Sequence, residues 1–224
     1  MQTYLVTGGN RGIGLALVRE LASRGHKVIA TVRDSSKVAD VAKLGATVHV
    51  LEADKPESIA ALAKTLAGVP IDVLINNAGV SDEDRVVGTL NMEAFERVFR
   101  TNTFAPALIA QALLPNLRAG TRKQVLNISS QLGSIASANA GFSYAYNASK
   151  AALNMITARL AKDLAKEGFT VVSFCPGWNK TDMGGPDAVL DPAVSMKQLL
   201  DVAEKLTTAS NGAYLHYHGE PIAW

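Results

Sequence analysis

Cysteine is all but absent from this chain. Cys175 is the only one, so no intrachain disulfide can form, and a reducing compartment is the simpler setting. An excess of one charge is missing too: 22 basic residues stand against 20 acidic ones, a formal net charge of +2, with no long like-charged run. That argues against the electrostatic footprint of a nucleic-acid or membrane-surface protein. No apolar run approaches the roughly 18 residues that a membrane span requires. Met1-Gln2-Thr3 passes straight into Tyr4-Leu5-Val6 without a charged and apolar leader. The expectation is therefore a cytoplasmic protein with no membrane partner. His26, His49, His216 and His218 show no metal-ligand spacing, so no metal is expected. No internal repeat, linker or biased tract is visible.

What is present is an ordinary globular composition over 224 residues, 48% hydrophobic and 19% charged. The size and composition point to one large α/β domain, 1–224, able to bury a full core without a metal or disulfide. Short β-branched runs at 4–7, 27–32, 47–52, 73–76, 124–128, 170–175 and 213–217 read as strands. The middle ones are apolar on both faces, as strands covered on each side by helices must be. Between them lie helical patterns. Ile13, Ala16, Leu17 and Leu21 share one face, and Gly25 follows as a stop. The longest helical candidate is 92–117, with Pro106 as a bend, and another runs over 144–166. Such alternation implies right-handed βαβ crossovers, hence a doubly wound, mainly parallel sheet of Rossmann type flanked by helices. The one long irregular stretch is 179–192, a candidate lid.

The first strand runs into Thr7-Gly8-Gly9-Asn10-Arg11-Gly12-Ile13-Gly14 and then a helix. A dinucleotide pyrophosphate needs close backbone approach and a free helix N-terminus. Gly8 would make the turn, Gly12 would admit the pyrophosphate, and Gly14 would let helix and strand pack closely. Asn10, Arg11 and Ile13 complete the candidate cofactor-binding turn. A merely tight, Gly-rich turn is the blander reading, but the strand–turn–helix context is what the motif demands. At the end of the second strand, Arg33 offers a partner for a 2′-phosphate, with Arg11 nearby in the turn. Asp34 opposes this, because an acid there would select NAD. The reading is NADP(H).

Tyr146 and Lys150 stand four apart on a candidate helix and so share a face. Tyr-x-x-x-Lys is common by chance, and an exposed polar pair is the rival. The chemistry nevertheless suits catalysis: an ammonium beside a phenol should lower its pKa from near 10, letting it exchange a proton with a carbonyl oxygen while hydride moves. Upstream, Asn127-Ile128-Ser129-Ser130 closes a buried strand at the edge where ligands sit in open α/β sheets. A serine there would hold a substrate oxygen, or would simply cap a turn.

Taken together, the chain resembles the short-chain dehydrogenase/reductase family from end to end. The likeness rests on Thr7-Gly8…Gly12-x-Gly14, Asn76-Asn77-Ala78-Gly79, Asn102, Ser130, Tyr146-x-x-x-Lys150 and Pro176-Gly177 in the family's order. It implies that Tyr146 is the general acid/base, with Lys150 also binding the nicotinamide ribose. It further implies that Ser130 orients the carbonyl and that Asn102 holds a proton-relay water. Asn77, Ala78 and Gly79 would line the adenosine and ribose side, with Glu52-Ala53 near the adenine and Asp54 as a rival. Pro176, Gly177 and Thr181 would flank the carboxamide and phosphates. Asn10-Arg11-Gly12-Ile13-Gly14-Leu15, Pro176-Gly177-Trp178, the segment 180–185 and Pro221-Ile222-Ala223-Trp224 resemble the branch holding C-factor-like and Sniffer-like carbonyl reductases.

The gap from Ser130 to Tyr146 is longer than is usual in the family, leaving Ser129 and Tyr144 as competitors. Asn179 puts a polar group where an apolar one is expected. Trp178 reads as either a substrate contact or core, and Cys175 as a buried structural thiol. His216 and His218 could share one face of the last strand. Phe95, Phe99 and the run 105–114 read as core and subunit contacts, so a homodimer or homotetramer is expected. The functional expectation is reversible hydride transfer between NADP(H) and a small-molecule carbonyl or alcohol. The rivals are an NADP-binding signalling or redox-sensing protein, and a lyase or epimerase that recycles its coenzyme.

Overall fold

Strands with apolar residues on both faces can be buried only between two layers of helices, and the chain folds in that way. The computed structural model describes residues 1–82, 86–138 and 143–224. Its strands are β1 (Thr3–Val6), β2 (Lys27–Val32), β3 (Thr47–Val50), β4 (Val73–Asn76), β5 (Gln124–Ile128), β6 (Thr170–Cys175) and β7 (Tyr214–His216). They form one sheet in the order 3-2-1-4-5-6-7, every pairing parallel. The helices are α1 (Gly12–Ser23), α2 (Val38–Ala42), α3 (Pro56–Thr65), α4 (Met92–Phe99), α5 (Ala105–Ala112), α6 (Leu114–Ala119), α7 (Tyr144–Leu164) and α8 (Pro192–Ala203). On one face Leu17, Leu21, Val41, Met196 and Leu199 bring α1, α2 and α8 onto the sheet. On the other, Ile59, Leu62, Ile109, Leu117 and Ala161 do the same for α3, α5, α6 and α7.

The strand order reverses between β1 and β4, and that switch point is where such sheets hold ligands. Three expected strands shift their bounds, the third ending at Val50 rather than at 52. The first strand ends at Val6, and the last is confined to Tyr214–His216. The larger correction concerns 92–117, which is not one helix. After α4 a π turn spans Arg100–Phe104, closed by Ala105 N–H donating to the Arg100 carbonyl, and α5 and α6 follow separately. Pro106 has no N–H to give the Asn102 carbonyl four residues earlier, so the ladder cannot continue in α register. Pro115 stands in the same way in the first turn of α6. The break leaves Asn102 fully buried, facing the end of β4 and helix α7.

Candidate active site

The turn between β1 and α1 is built by close approach. Gly8 and Gly12 have φ of +69° and +51°, values that side-chain-bearing residues rarely adopt. A Cβ on Gly14 would lie 2.0 Å from the Gly8 carbonyl oxygen and 2.5 Å from Asn77 Nδ2. Thr7 Oγ1 accepts hydrogen bonds from the Asn77 and Ala78 amides, each at 3.0 Å. Asn77 Nδ2 donates to the carbonyls of Thr7 (2.8 Å) and Gly8 (3.1 Å). The Asn77 side chain thus braces the turn from β4. Gly79 lies beyond it, where a Cβ would meet Asn102 Oδ1 at 3.4 Å and Lys150 Nζ at 3.8 Å. Asn10 and Ile13 are half-buried at the bend, Ile13 packing on the α1 side of the core. No side chain caps the start of α1, and its first turn holds no acid, so the turn ends in amide groups that no side chain of the cap satisfies.

The lid segment lies against this turn. Thr181 Cγ2 is 3.1 Å from the place a Gly12 Cβ would take, and Arg11 pairs with Asp182 at 3.1 Å, both well exposed. Asn179, unexplained in the sequence, is buried and anchors the lid. Its Nδ2 donates to the Pro176 and Gly177 carbonyls (2.8 and 3.1 Å), and its Oδ1 accepts from the Ser195 hydroxyl of α8. Gly177 has φ +78° and no room for a Cβ, which would meet Leu190 Cδ1 at 2.4 Å. Trp178 is 53% exposed, which removes it from the core, and its Nε1 donates to the Gly184 carbonyl. At the end of β2, Arg33 is exposed. The Asp34 carboxylate accepts the Ser36 amide at 2.8 Å, and that bond first of all holds it below its ordinary range. Glu52 is exposed, while Ala53 is buried in the core on the α3 side.

At the carboxyl edge of β5 the sequence left two serines and two tyrosines open. The Ser129 hydroxyl turns inward, donating to Asn154 Oδ1 at 2.7 Å. The Ser130 side chain faces the Tyr146 phenol and works to lower its pKa, and its Oγ accepts the Leu132 amide at 3.2 Å. It therefore serves as the turn cap and faces the phenol at once. Tyr144 is exposed, whereas Tyr146 is half-buried. Lys150 is buried, its Nζ donating to the Ile128 carbonyl at 2.7 Å and standing 5.6 Å from the centre of the Tyr146 ring. Residues 139–142, part of the long gap before Tyr146, lie outside the described residues.

The phenol's acidity runs against the expectation. Burial pushes Tyr146 from 10.0 up to about 12, with the Cys175 thiol acting in the same direction and the Ser130 bond partly offsetting it. Burial likewise takes Lys150 from 10.5 down to about 8. With the ammonium buried and bonded to a carbonyl and the phenol half-buried, desolvation is the largest cause of both shifts. Cys175 is buried, and burial raises its thiol pKa, as a structural thiol requires.

Asn102 is fully engaged. Its Oδ1 accepts the Val80 amide (2.8 Å), while its Nδ2 donates to the Val80 carbonyl (2.9 Å) and to Ser149 Oγ (3.1 Å). Its amide fastens the loop after β4 to α7. Two residues not singled out from the sequence support the same helix: Ser143 caps α7 by accepting the Tyr146 amide at 3.0 Å and donates to the buried Asp82 carboxylate. A Ser directly before a helical run is a readable cap signal; its partner across 61 residues is not. His216 and His218 stack at 4.9 Å. Among the described residues no three His, Cys, Asp or Glu side chains are grouped to hold a metal, and no helix is long and apolar enough to cross a membrane.

A glycine turn at the switch point, with acid–base groups along the same edge, marks a nucleotide-binding α/β protein equipped for proton transfer. The chain belongs to the short chain dehydrogenase family, whose model matches residues 2–188. C-signal of Myxococcus xanthus is 40% identical over 164 residues, 73% of this chain and 99% of that protein. Among solved structures, the NADPH-bound carbonyl reductase from chicken fatty liver superposes with a TM-score of 0.93 at 33% identity, covering 100% of this chain and 99% of that one. The carbonyl reductase Sniffer of D. melanogaster does so at 0.93 and 32%, covering 100% of both.

Proposed function

We propose that this protein is an NADPH-dependent carbonyl reductase acting on small aldehydes or ketones. The observation that carries the proposal is the grouping of Ser130, Tyr146 and Lys150 at the carboxyl edge, beside a turn whose Gly8 and Gly12 take left-handed φ values and whose Gly14 leaves no room for a Cβ. That cradle fits a pyrophosphate on the N-terminus of α1. Bound there, the coenzyme supplies the hydride. NADP is favoured over NAD because the Asp34 carboxylate is occupied in its own turn while Arg33 is exposed beside it. Arg11 is held only by an exposed ion pair, of a kind contributing about 0–1 kcal/mol, which a 2′-phosphate can displace. The likeness to the NADPH-bound chicken enzyme supports the same choice.

The Tyr146 phenol, pushed by burial further above its ordinary range, is protonated at neutral pH, the form needed to donate to a carbonyl oxygen as hydride arrives. Ser130 holds that oxygen. Lys150, charged below about pH 8, binds the nicotinamide ribose and stabilises the phenolate left behind. Asn102 positions the relay between the β4 loop and α7. Asn77 to Gly79, Pro176, Gly177 and Thr181 line the coenzyme, with Glu52 and Ala53 toward the adenine. The test is NADPH oxidation over a panel of aldehydes, ketones, quinones and diketones, including para-nitrobenzaldehyde and phenanthrenequinone. Tyr146→Phe should lower turnover by about 100-fold or more while NADPH still binds; undiminished turnover would overturn the proposal.

The protein is further proposed to be a cytoplasmic homodimer, or a dimer of dimers, that uses α5 and α7. Phe104 just before α5, Leu108 on α5 and Met155 on α7 expose apolar surface, and a second copy would bury it. Light scattering should report twice the chain mass or more. A monomer rejects this part alone.

A further inference from the structure

The loop that carries Ser130 is held by the far end of the chain. Tyr214 on β7 is buried, and its hydroxyl donates to the Ser130 main-chain carbonyl. Two residues along the strand, His216 Nε2 lies 3.3 Å from Gln131 Oε1. After β7 the chain turns back along the strand, with Ile222 N–H donating to the Tyr214 carbonyl and His216 N–H to the Glu220 carbonyl. This brings Trp224 onto the Tyr214 ring, stacked with centroids 5.1 Å apart and planes at 27°. The returning segment then meets the other end of the loop: Ser134 Oγ donates to the Ala223 carbonyl at 2.6 Å and Ala136 N–H to the Trp224 carbonyl at 3.1 Å. β7 or the strap folded back on it tethers the loop at 130, 131, 134 and 136, while Asn154 of α7 holds it at 133, donating to the Gly133 carbonyl at 3.3 Å.

That arrangement matters because Ser130 has two faces. Its hydroxyl meets the Tyr146 phenol, and its carbonyl meets the Tyr214 hydroxyl. Its backbone is extended, at φ −163° and ψ 147°, a region with no steric preference sharp enough to set where the hydroxyl points. The Leu132 amide holds the hydroxyl within its own turn at 3.2 Å, and the carbonyl is held by the Gly133 amide at 2.8 Å and, from outside the loop, by the Tyr214 hydroxyl.

We propose that Tyr214, clamped by Trp224, is a positioning residue that aims the Ser130 hydroxyl at the substrate oxygen. The proposal rests on Ser130 being the carbonyl-holding group. Tyr214 touches neither substrate nor coenzyme; it acts through Ser130, and an error of about 1 Å there is enough to slow the reaction.

Tyr214→Phe removes one oxygen and leaves the stack on Trp224. With NADPH and para-nitrobenzaldehyde, or the panel carbonyl that reacts fastest, kcat should fall about tenfold while KM and the NADPH Kd stay within about twofold. In a Ser130→Ala background the same change should cost nothing more, since there is no hydroxyl left to aim. Trp224→Ala should reproduce the kcat loss with the NADPH Kd unchanged. Independently of turnover, amide exchange at Leu132 and Ala136 should quicken in Tyr214→Phe. An unchanged kcat together with unchanged exchange overturns the inference, and so does an equal penalty with and without the Ser130 hydroxyl. Full activity in Ser130→Ala would instead overturn the role given to Ser130, and this inference with it.

Discussion

Lys150 carries its amine to a place that water does not reach. Burial lowers its pKa from 10.5 to about 8, a gap worth roughly 3 kcal/mol against folding while the group is charged. A cation held at such a cost to stability fits the role proposed for Lys150. Below about pH 8 both folded and unfolded chains hold the proton, and the penalty is complete. Between about 8 and 10.5 the unfolded chain holds it more tightly, so stability from this site rises with pH. Lys150→Met should therefore raise the melting temperature at pH 7 by several degrees, corresponding to about 2 kcal/mol, while abolishing turnover. The gain should shrink as pH approaches 10. Tyr146 works in the opposite sense, because its raised pKa withdraws stability as pH climbs from 10 toward 12. Equal melting temperatures for variant and parent at pH 7 would contradict the buried-cation account.

At the level of elements, the legible parts are those decided by burial. Strands β2, β4, β5 and β6 fall at 27–32, 73–76, 124–128 and 170–175 as read from the sequence, because each is a mainly apolar, β-branched run buried on both faces. The helix read over 92–117 failed for a different reason. Apolar periodicity runs on through Phe99, Ala105 and Ile109, but the main-chain ladder is broken by the N–H missing at Pro106, and periodicity is blind to one bond. The site divides in the same way. Local spacing was enough to pair Tyr146 with Lys150 and to find the glycine turn. Choosing Ser130 over Ser129 depends on Asn154 taking the Ser129 hydroxyl across 25 residues. The state of Asp34 was readable in principle, since Asp-x-Ser favours a local turn bond, yet its position after the glycines pointed elsewhere. The tether from Tyr214 to Ser130 joins residues 84 apart, and no spacing rule reaches that far.

The whole molecule separates its tasks between the two edges of one sheet. Groups for chemistry gather where the strands end; the opposite edge holds ion pairs and backbone clamps. There, Arg24 bonds Glu20, Asp201 and Glu204 at 2.8 to 2.9 Å and also donates to the Lys197 carbonyl, tying α1 to α8. Asp72 accepts the amides of Thr3 and Thr121, each at 2.7 Å, joining the approaches to β1 and β5. The Arg24 side chain is only 16% exposed, so its network should outweigh a surface pair, while its partly exposed carboxylates can turn to water once it is gone. Arg24→Ala should cost about 1–3 kcal/mol, with a smaller difference from the parent at high salt. Carbonyl reduction at 25 °C, where the variant remains folded, should keep its kcat within about twofold, because no contact of Arg24 reaches the carboxyl edge. Calorimetry and initial rates on the same preparation decide the matter. A variant that melts like the parent, or one that loses kcat while still folded, would show that the two edges are not separate.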